Sequence, residues 1–207
     1  MLDKQSRIFD AAYSLFAEYG FESVTTQQIS DRAEIAAGTL FRYAASKGEL
    51  LLMVYNAEFT AALEAGERVS RLQADPVEAV VALVRPTLEA AADHVENAVA
   101  YQRELLFGSP AEKYRADGLA LVARLEADIA ERLIATAGGH GLDGPQLEEQ
   151  ARLAGRSVFA ALHLALAQPA TGAHPGPDAA ADLRGQISQI VAGFHTALTT
   201  DSEKGEL

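Results

Sequence analysis

Near its N-terminus the sequence places hydroxyl side chains, an arginine and a lysine where short helices would begin and end. Thr25 with Gln28, and Ser46 with Glu49, have the spacing of capping boxes, in which side chains satisfy the free N–H groups at a helix start. Helix starts also present N–H groups to anions such as phosphates. Arg42 lies between the two boxes and is able to make a bidentate contact to guanine. The chemistry available here is hydrogen bonding to phosphates and base edges.

Four helices are needed to position these residues. Apolar residues at helical spacing predict a first helix that ends at Gly20, a left-handed C-cap. The first capping box opens a second helix that ends near Glu34, a third short helix is predicted over 37–43 with Leu40 turned inward, and the second box opens a long fourth helix. Two short helices joined by a three-residue turn that ends at Ala36 form a helix-turn-helix arrangement, whose second helix enters the major groove of DNA.

Beyond the fourth helix the pattern stays helical, and nothing alternates with the period of a strand. One helix is predicted at about 76–94, bent by Pro86, and another at 97–107. Glycines at 138–141 and a loop at 169–177 separate the remaining long helices. The sequence therefore predicts an all-α fold of about nine helices. We expect a helix-turn-helix domain at 1–46, a larger helical domain for effector binding and dimerisation at 47–200, and a disordered tail at 201–207.

The composition restricts the kind of partner. The formal net charge is −12, and residues 1–50 hold seven acidic against five basic residues. Binding by general attraction to a polyanion is therefore excluded, which argues against histone-like or RNA-coating roles. Cysteine is absent, so disulfides and thiolate-bound metals are excluded. The N-terminal residues do not have the pattern of a signal peptide, and the longest apolar run is well short of the about 18 residues that a membrane span requires. We therefore expect a cytoplasmic protein with no membrane partner.

A set of signature residues in the N-terminal segment matches a known family, namely Thr25, Ile29, Ala33, Gly38-Thr39-Leu40-Phe41, Tyr43 and Ser46-Lys47. By these residues the segment resembles the tetracycline-repressor (TetR) family of transcriptional regulators. The resemblance covers about the first quarter of the chain, while the later helices agree only in number and length. It implies a sequence-specific DNA-binding repressor, released from a palindromic double-stranded operator by a small-molecule inducer, without a cofactor. An activator of the same fold stays open as an alternative.

The resemblance implies phosphate contacts at the start of the second helix and on the far side of the third, with residues 37–42 facing base edges. The implied DNA-binding residues are Thr25, Thr26, Gln27, Ala37, Gly38, Thr39, Phe41, Arg42, Tyr43 and Lys47. By its chemistry Arg42 would carry most of the sequence reading, and Thr39 or Ala37 would pack on a thymine methyl. The alternative for Thr25 is a cap alone, and for Tyr43 packing on the first helix. Lys47 opposes the macrodipole at a helix start, which favours a functional role.

Four positions depart from the family pattern. Glu34 stands in the turn where glycine is usual, so it is expected to hold a left-handed conformation at a cost of about 1 kcal/mol. Ala36 lacks the hydroxyl of an N-cap, Phe41 lacks the hydroxyl of a tyrosine, and Ala44 removes packing behind the third helix. These departures predict modest intrinsic affinity for DNA.

The resemblance also implies an inducer pocket among the middle helices and a dimer made by the last two. Pocket candidates are Tyr55, Tyr101, Arg103, Phe107, Phe159 and His163, with Glu104 or Arg156 as further polar anchors. Dimer candidates are Leu183, Ile187, Ile190, Phe194 and Leu198, while Gly185, Ala192 and Gly193 would allow close approach. The alternative for both sets is that they pack only in their own core.

The rival interpretation is an all-helical enzyme or a partner-binding helical module. An enzyme is disfavoured because the sequence has no thiol and no serine at nucleophile-elbow spacing. The five histidines show no metal-ligand spacing, so no metal is expected.

Overall fold

The computed structural model of the protein describes residues 4–137, 144–172 and 178–200. Within these ranges every regular element is a helix, as the sequence predicts. In chain order the helices are α1 (Lys4–Tyr19), α2 (Thr26–Arg32), α3 (Ala37–Leu40), α4 (Lys47–Ser70), α5 (Pro76–Asp93), α6 (Val95–Phe107), α7 (Lys113–Thr136), α8 (Gly144–Thr171) and α9 (Ala179–Thr200).

The described residues form two compact units. Unit 1 comprises those up to Thr60 together with Ala90–Leu121, so it contains α1 to α3, the first part of α4, α6 and the start of α7. Unit 2 comprises Ala61–Glu89 together with the described residues from Val122 onward. The domain division at residue 46 stays a prediction. In unit 1 the N-terminal helices are grouped with residues 90–121, a later stretch of chain that no sequence pattern links to them.

The core of unit 1 fixes which faces of the N-terminal helices point outward. Ile8 and Phe16 of α1, Ile29 of α2, Leu40 of α3 and Leu51 of α4 are all completely buried in one cluster. Each belongs to the apolar stripe of its helix, and their burial removes the apolar surface that the stripe would expose to water. The opposite faces of α2 and α3 are left at the surface.

Unit 2 is built from long helices that approach closely at two glycines. A Cβ on Gly66 of α4 would lie 2.6 Å from the Leu83 carbonyl oxygen of α5, and one on Gly155 of α8 would lie 2.5 Å from the Glu126 carbonyl oxygen of α7. Any larger residue would force these backbones apart. Leu125, Ile129 and Leu133 of α7, which follow helical spacing, are fully buried, whereas Leu119 is at the surface.

Two predicted boundaries differ from the structure, whereas the helix predicted at about 76–94 forms with Pro86 inside it. α3 ends at Leu40 and not at Tyr43, because the Arg42 and Tyr43 N–H groups donate to carbonyls three residues back, a tighter turn than the α-helix. α8 continues through Pro169, and its end is closed by Gly172, which has φ +63° and donates to the Gln168 carbonyl. The predicted loop at 138–141 and the tail at 201–207 lie outside the described residues, as does 173–177.

Candidate nucleic-acid interface

The start of α2 is closed by the predicted capping box. The Thr25 Oγ1 accepts from the Gln28 N–H at 3.2 Å, and the Gln28 Oε1 accepts from the Thr25 N–H at 2.8 Å. The Gln27 side chain donates to Asp31 Oδ1 at 2.7 Å. The cap accounts for Thr25 without DNA, so phosphate contacts by Thr25, Thr26 and Gln27 stay predictions.

The turn between α2 and α3 contains the strained residue that the sequence predicts. Glu34 has φ +54°, the left-handed conformation that favours glycine. Its carboxylate, which is 86% exposed, lies 3.8 Å from Arg7, an ion pair that contributes little at such exposure. The turn is completed by the Ile35 N–H, which donates to the Ser30 carbonyl. As expected, Ala36 offers no side-chain cap to α3.

Replacing Glu34 by glycine is expected to stabilise the protein by about 0.5–1 kcal/mol, because glycine adopts positive φ without strain but has more freedom when unfolded. For a protein of this size the melting temperature should rise by about 2–4 °C, measured by thermal denaturation. Glu34→Gln is the control: it removes the charge but keeps the Cβ, and should leave the melting temperature unchanged. A similar rise in both variants would show that charge, not backbone strain, is relieved.

The outward face of α3 and the turn after it presents small groups, one aromatic ring and one cation. Gly38, Phe41 and Arg42 are exposed, and Thr39 is half-buried beside the inward-facing Leu40. No hydrogen bond or ion pair joins the Arg42 guanidinium to any described residue, so it keeps all five N–H donors for a partner. Tyr43 packs against the unit 1 core, which agrees with the structural alternative, and its phosphate contact stays a prediction.

Lys47, the first residue of α4, reaches back to the loop between α1 and α2. Its Nζ donates to the carbonyl oxygens of Phe21 at 2.8 Å and Val24 at 3.1 Å, and lies 3.4 Å from that of Glu22. The ammonium also sits 4.3 Å from the centre of the Phe21 ring. Three carbonyls use the three donors of an ammonium. The placement of a lysine at a helix start is therefore explained inside the protein, and a phosphate would have to displace one of these carbonyls.

Lys47→Met should lower the free energy of unfolding by about 1.5–3 kcal/mol, because the methionine side chain fills similar space but leaves the carbonyls without their donor. Lys113→Met, which breaks an exposed ion pair with Asp117, should cost less than about 0.5 kcal/mol. Chemical denaturation of both variants measures the difference. If the two lose equally little, the internal bonds of Lys47 are weak and its phosphate contact becomes the better account.

Few cations of this region are available to DNA. Arg7 pairs with Glu34, and Lys47 is held by carbonyls. Lys4, Arg32 and Arg42 form no ion pair with the described residues and are exposed. Non-specific affinity grows with the number of phosphates neutralised, so this surface relies on placement more than on charge.

The predicted pocket residues are divided between the two units, four in unit 1 and two in unit 2, and their shared pocket stays a prediction. The Tyr101 hydroxyl donates to Asn56 Oδ1 at 2.8 Å, and its ring lies 6.2 Å from that of Tyr55 in unit 1. Burial raises the pKa of both phenols, so both stay neutral. Phe107 is 82% exposed. Arg103 is exposed and pairs with Glu22 and Glu104.

The other two predicted pocket residues belong to unit 2. Phe159 and His163 are half-buried on α8, with ring centres 5.8 Å apart. Burial lowers the pKa of His163, which favours its neutral form at pH 7. A cavity of about 360 Å³ in the same unit lies between α5 and the start of α9, and includes none of the six candidates. Its walls comprise Val81, Val84, Leu88, Leu183 and Ile187, with Arg85, Glu89 and Arg184 among the polar groups.

The predicted dimer stripe on α9 is packed inside its own unit. Leu183, Ile187, Phe194 and Leu198 are at most 4% exposed, and Ile190 is half-buried. Helical periodicity identifies an apolar face but does not show whether the chain itself or a partner covers it. In the protomer these side chains are already covered by the chain itself. The small residues on the other face, by contrast, are open. Nothing lies within 4 Å of a Cβ built at Gly185 or Gly193.

The outward face of α8 and α9 carries exposed apolar and small residues that are not part of the predicted stripe. Leu153 and Leu164 on α8 are 44% and 42% exposed, and Ala160 between them is also exposed. On α9 the exposed positions at helical spacing are Gly185, Gln189, Ala192 and Thr196. A second period of apolar and small residues, offset from the buried one, is the signal that could have found this face.

The described residues offer neither a metal-binding cluster nor a membrane-spanning helix. No group of three His, Asp or Glu side chains is arranged to hold a metal ion among them. None of the described helices is both long and apolar enough to cross a membrane.

Comparison with known proteins agrees with this geometry. Residues 8–54 match the family model described as "Bacterial regulatory proteins, tetR family". The transcriptional repressor KstR of Mycobacterium tuberculosis is 38% identical over 58 residues, and that of Rhodococcus jostii 39% over 57. These matches cover 28% of this chain and only 26% and 27% of the relatives, about a quarter of their length.

Solved structures extend the similarity to the whole fold. FadR of Thermus thermophilus, a TetR-family repressor solved with lauroyl-CoA, is 28% identical and has a TM-score of 0.70 over 90% of this chain and 93% of its own. FadR of Bacillus subtilis, solved with stearoyl-CoA, is 20% identical with a TM-score of 0.63 over 91% and 98%, which shows the fold alone. The helix-turn-helix segment therefore matches the tetR family of bacterial regulatory proteins, and the all-helical fold is similar to that of a TetR-family repressor.

Proposed function

We propose that the protein is a sequence-specific DNA-binding repressor that acts as a homodimer in the cytoplasm and is released from its operator by a small-molecule effector. The observation that carries the proposal is the outward face of α3, where Arg42 is exposed without a partner while Leu40 anchors the helix in the core. This is the arrangement that a recognition helix needs, because the buried side fixes the helix and the free side meets base edges.

The proposal accommodates the acidic composition. A repressor needs a few well-placed contacts from two heads and gains from weak binding elsewhere. The same geometry serves an activator equally well, so repression rests on the names of the similar proteins. An all-helical enzyme is the runner-up from another class, and no arrangement among the described residues favours it.

The dimer is proposed to form through the outward face of α8 and α9, with a second copy of the chain as its occupant. Leu153 and Leu164 supply exposed apolar area on α8, and the exposed small residues Gly185 and Ala192 of α9 permit close approach. α8 and α9 pack on each other in unit 2, so their outward sides form one surface. A two-fold axis across this surface would give a four-helix interface.

The effector is proposed to be a fatty acyl-CoA. The support is the 28% identity with a repressor solved with lauroyl-CoA over nine-tenths of this chain. An acyl chain needs an apolar site, and a coenzyme A group needs cations and hydrogen-bond donors. A ligand of this class would release DNA only by binding one arrangement of the protein better than another.

The DNA-binding proposal is tested by selection of duplexes from a random pool with the purified protein. The expected product is a pseudo-palindrome whose half-site centres lie about 10 bp or a multiple apart, because a two-fold dimer mirrors its operator. An enrichment that yields no shared sequence after repeated rounds would remove the proposal.

The effector is tested on the selected duplex. Fluorescence anisotropy should show that lauroyl-CoA weakens binding, whereas coenzyme A alone and free laurate, which lack the thioester-linked combination, should do so much less. If none of the three compounds weakens DNA binding, the DNA-binding proposal stands and the acyl-CoA assignment is overturned.

A further inference from the structure

The corner between α1 and α2, residues 20–24, is held by side chains from outside the helix-turn-helix. Within the corner, the Gly20 N–H donates to the Phe16 carbonyl and the Val24 N–H donates to the Phe21 carbonyl. The other polar backbone groups that are bonded here have partners on α4 and α6. Lys47 of α4 takes the carbonyl side, as described above. The N–H side is taken by α6.

Asn97, in the first turn of α6, bridges the end of α1. Its Oδ1 accepts from the Phe21 N–H at 2.7 Å, and its Nδ2 donates to the Phe16 carbonyl at 2.8 Å. The residue is only 2% exposed, and both hydrogen bonds are buried. One amide thus joins the last turn of α1 to the first residue beyond its glycine cap. A buried amide fixes its partners closely, since any displacement leaves donors or acceptors without a partner.

Glu96 holds the next residue of the corner. Its Oε1 accepts from the Glu22 N–H at 2.8 Å, and its carboxylate would come within 2.7–2.9 Å of a Cβ on Gly20. Gly20 is favoured by its φ of +78°, and a Cβ there would displace the Glu96 carboxylate from its position. The carboxylate fits over the corner only because the side chain beneath it is missing.

We infer that Asn97, supported by Glu96, is a positioning residue for DNA binding: from α6 it sets the corner that fixes α2 and α3 relative to α1. The inference rests on the proposed function and goes beyond it, because it assigns part of the DNA-binding apparatus to a segment more than fifty residues beyond the helix-turn-helix. The residue touches no DNA in this role. It acts through the backbone at Phe16 and Phe21.

The unit offers a matched control for this assignment. Asn56 on α4 is also a buried asparagine, 8% exposed, and its amide likewise makes two hydrogen bonds, from the Tyr101 hydroxyl and to the Tyr114 carbonyl. Neither bond involves the corner. Asn56→Leu therefore removes equivalent bonds from the same unit without touching residues 16–24, and it reports what loss of stability alone does to DNA binding.

The experiment compares Asn97→Leu with Asn56→Leu on the duplex selected by the unaltered protein. At a temperature where both variants are folded, Asn97→Leu should bind at least about tenfold more weakly, or about 1.4 kcal/mol, while Asn56→Leu stays within about threefold. Hydrogen exchange should accelerate at the Phe21 and Glu22 amides only in Asn97→Leu. Equal binding by the two variants overturns the inference, even if both are destabilised.

A second pair covers the case in which Asn97→Leu does not fold. Glu96 is exposed, so its variants should fold. Glu96→Ala removes the acceptor for the Glu22 N–H and should weaken DNA binding, whereas Glu96→Gln keeps a carbonyl oxygen there and should restore it. Equal DNA binding by Glu96→Ala and Glu96→Gln would count against the inference. Failure of the unaltered protein to select any duplex is a separate result, because it removes the proposed function itself.

Discussion

A variant with Leu164→Glu and Ala192→Glu is expected to be a folded monomer that has lost most of its affinity for the operator. Both positions are exposed in the protomer, so the substitutions leave its core intact. In a two-fold interface each glutamate would either lose its hydration or lie close to the same glutamate of the partner protomer, and both are unfavourable. Linked heads bind with an effective concentration that separate heads lack, so affinity should fall by about 10²- to 10⁴-fold. Sedimentation and anisotropy measure the two effects.

The matched control is Leu72→Glu, which places the same charge on a leucine that is 83% exposed in unit 2 and lies away from α8 and α9 in the sequence. It should remain dimeric with unchanged DNA affinity. A double variant that sediments as a dimer would refute the assigned face. Phe194→Asp is unsuitable for this purpose, because Phe194 is buried in the core and a charge there should unfold the protomer.

Arg42→Ala is expected to cost about 1–3 kcal/mol per half-site and to relax the sequence preference at one position in each. The reason is that Arg42 is the one side chain on the exposed face of α3 and its following turn with a bidentate pair of N–H donors, and it is engaged by no described residue. Its removal should leave the fold unchanged. Selection from a random pool with the variant, compared with the unaltered protein, shows which base pair loses its preference.

Arg68→Ala serves as the control for charge, because Arg68 is an exposed arginine on the part of α4 that lies in unit 2. It should alter neither affinity nor preference. If Arg42→Ala weakens all sequences equally, Arg42 contacts phosphate and not a base. If it changes nothing, the exposed face of α3 is not the surface that reads DNA.

The sequence predicted best those features that depend on neighbours along the chain. The Thr25–Gln28 box and the left-handed Gly20 and Glu34 all formed as expected, because caps and turns are decided within a few residues. The extent of α3 was harder, since its last turn tightens where Leu40 is anchored in the core. Boundaries of so short a helix depend on tertiary packing more than on propensity.

The features that the sequence did not predict depend on distant parts of the chain. Lys47 looked functional because its charge opposes the helix dipole, but its partners are carbonyls about 25 residues earlier in sequence. The apolar face of α9 was found, but its own unit covers it. Asn97 gave no signal at all, since an amide within a helix has no sequence pattern that reveals a buried partner 76 residues away. Charge and polarity show that a partner is needed, not where it lies.

The capture of Lys47 by backbone carbonyls has a consequence for how the proposed repressor searches a chromosome. A lysine whose donors are bonded to backbone carbonyls contributes less to binding at other sequences than a free lysine would. Because a genome presents about 10⁶–10⁹ competing sites, time spent on them determines how many molecules are free to find the operator. A DNA-binding domain with few available cations is expected to spend little time bound to other sequences. Fewer copies of the proposed repressor per cell would then keep one operator occupied.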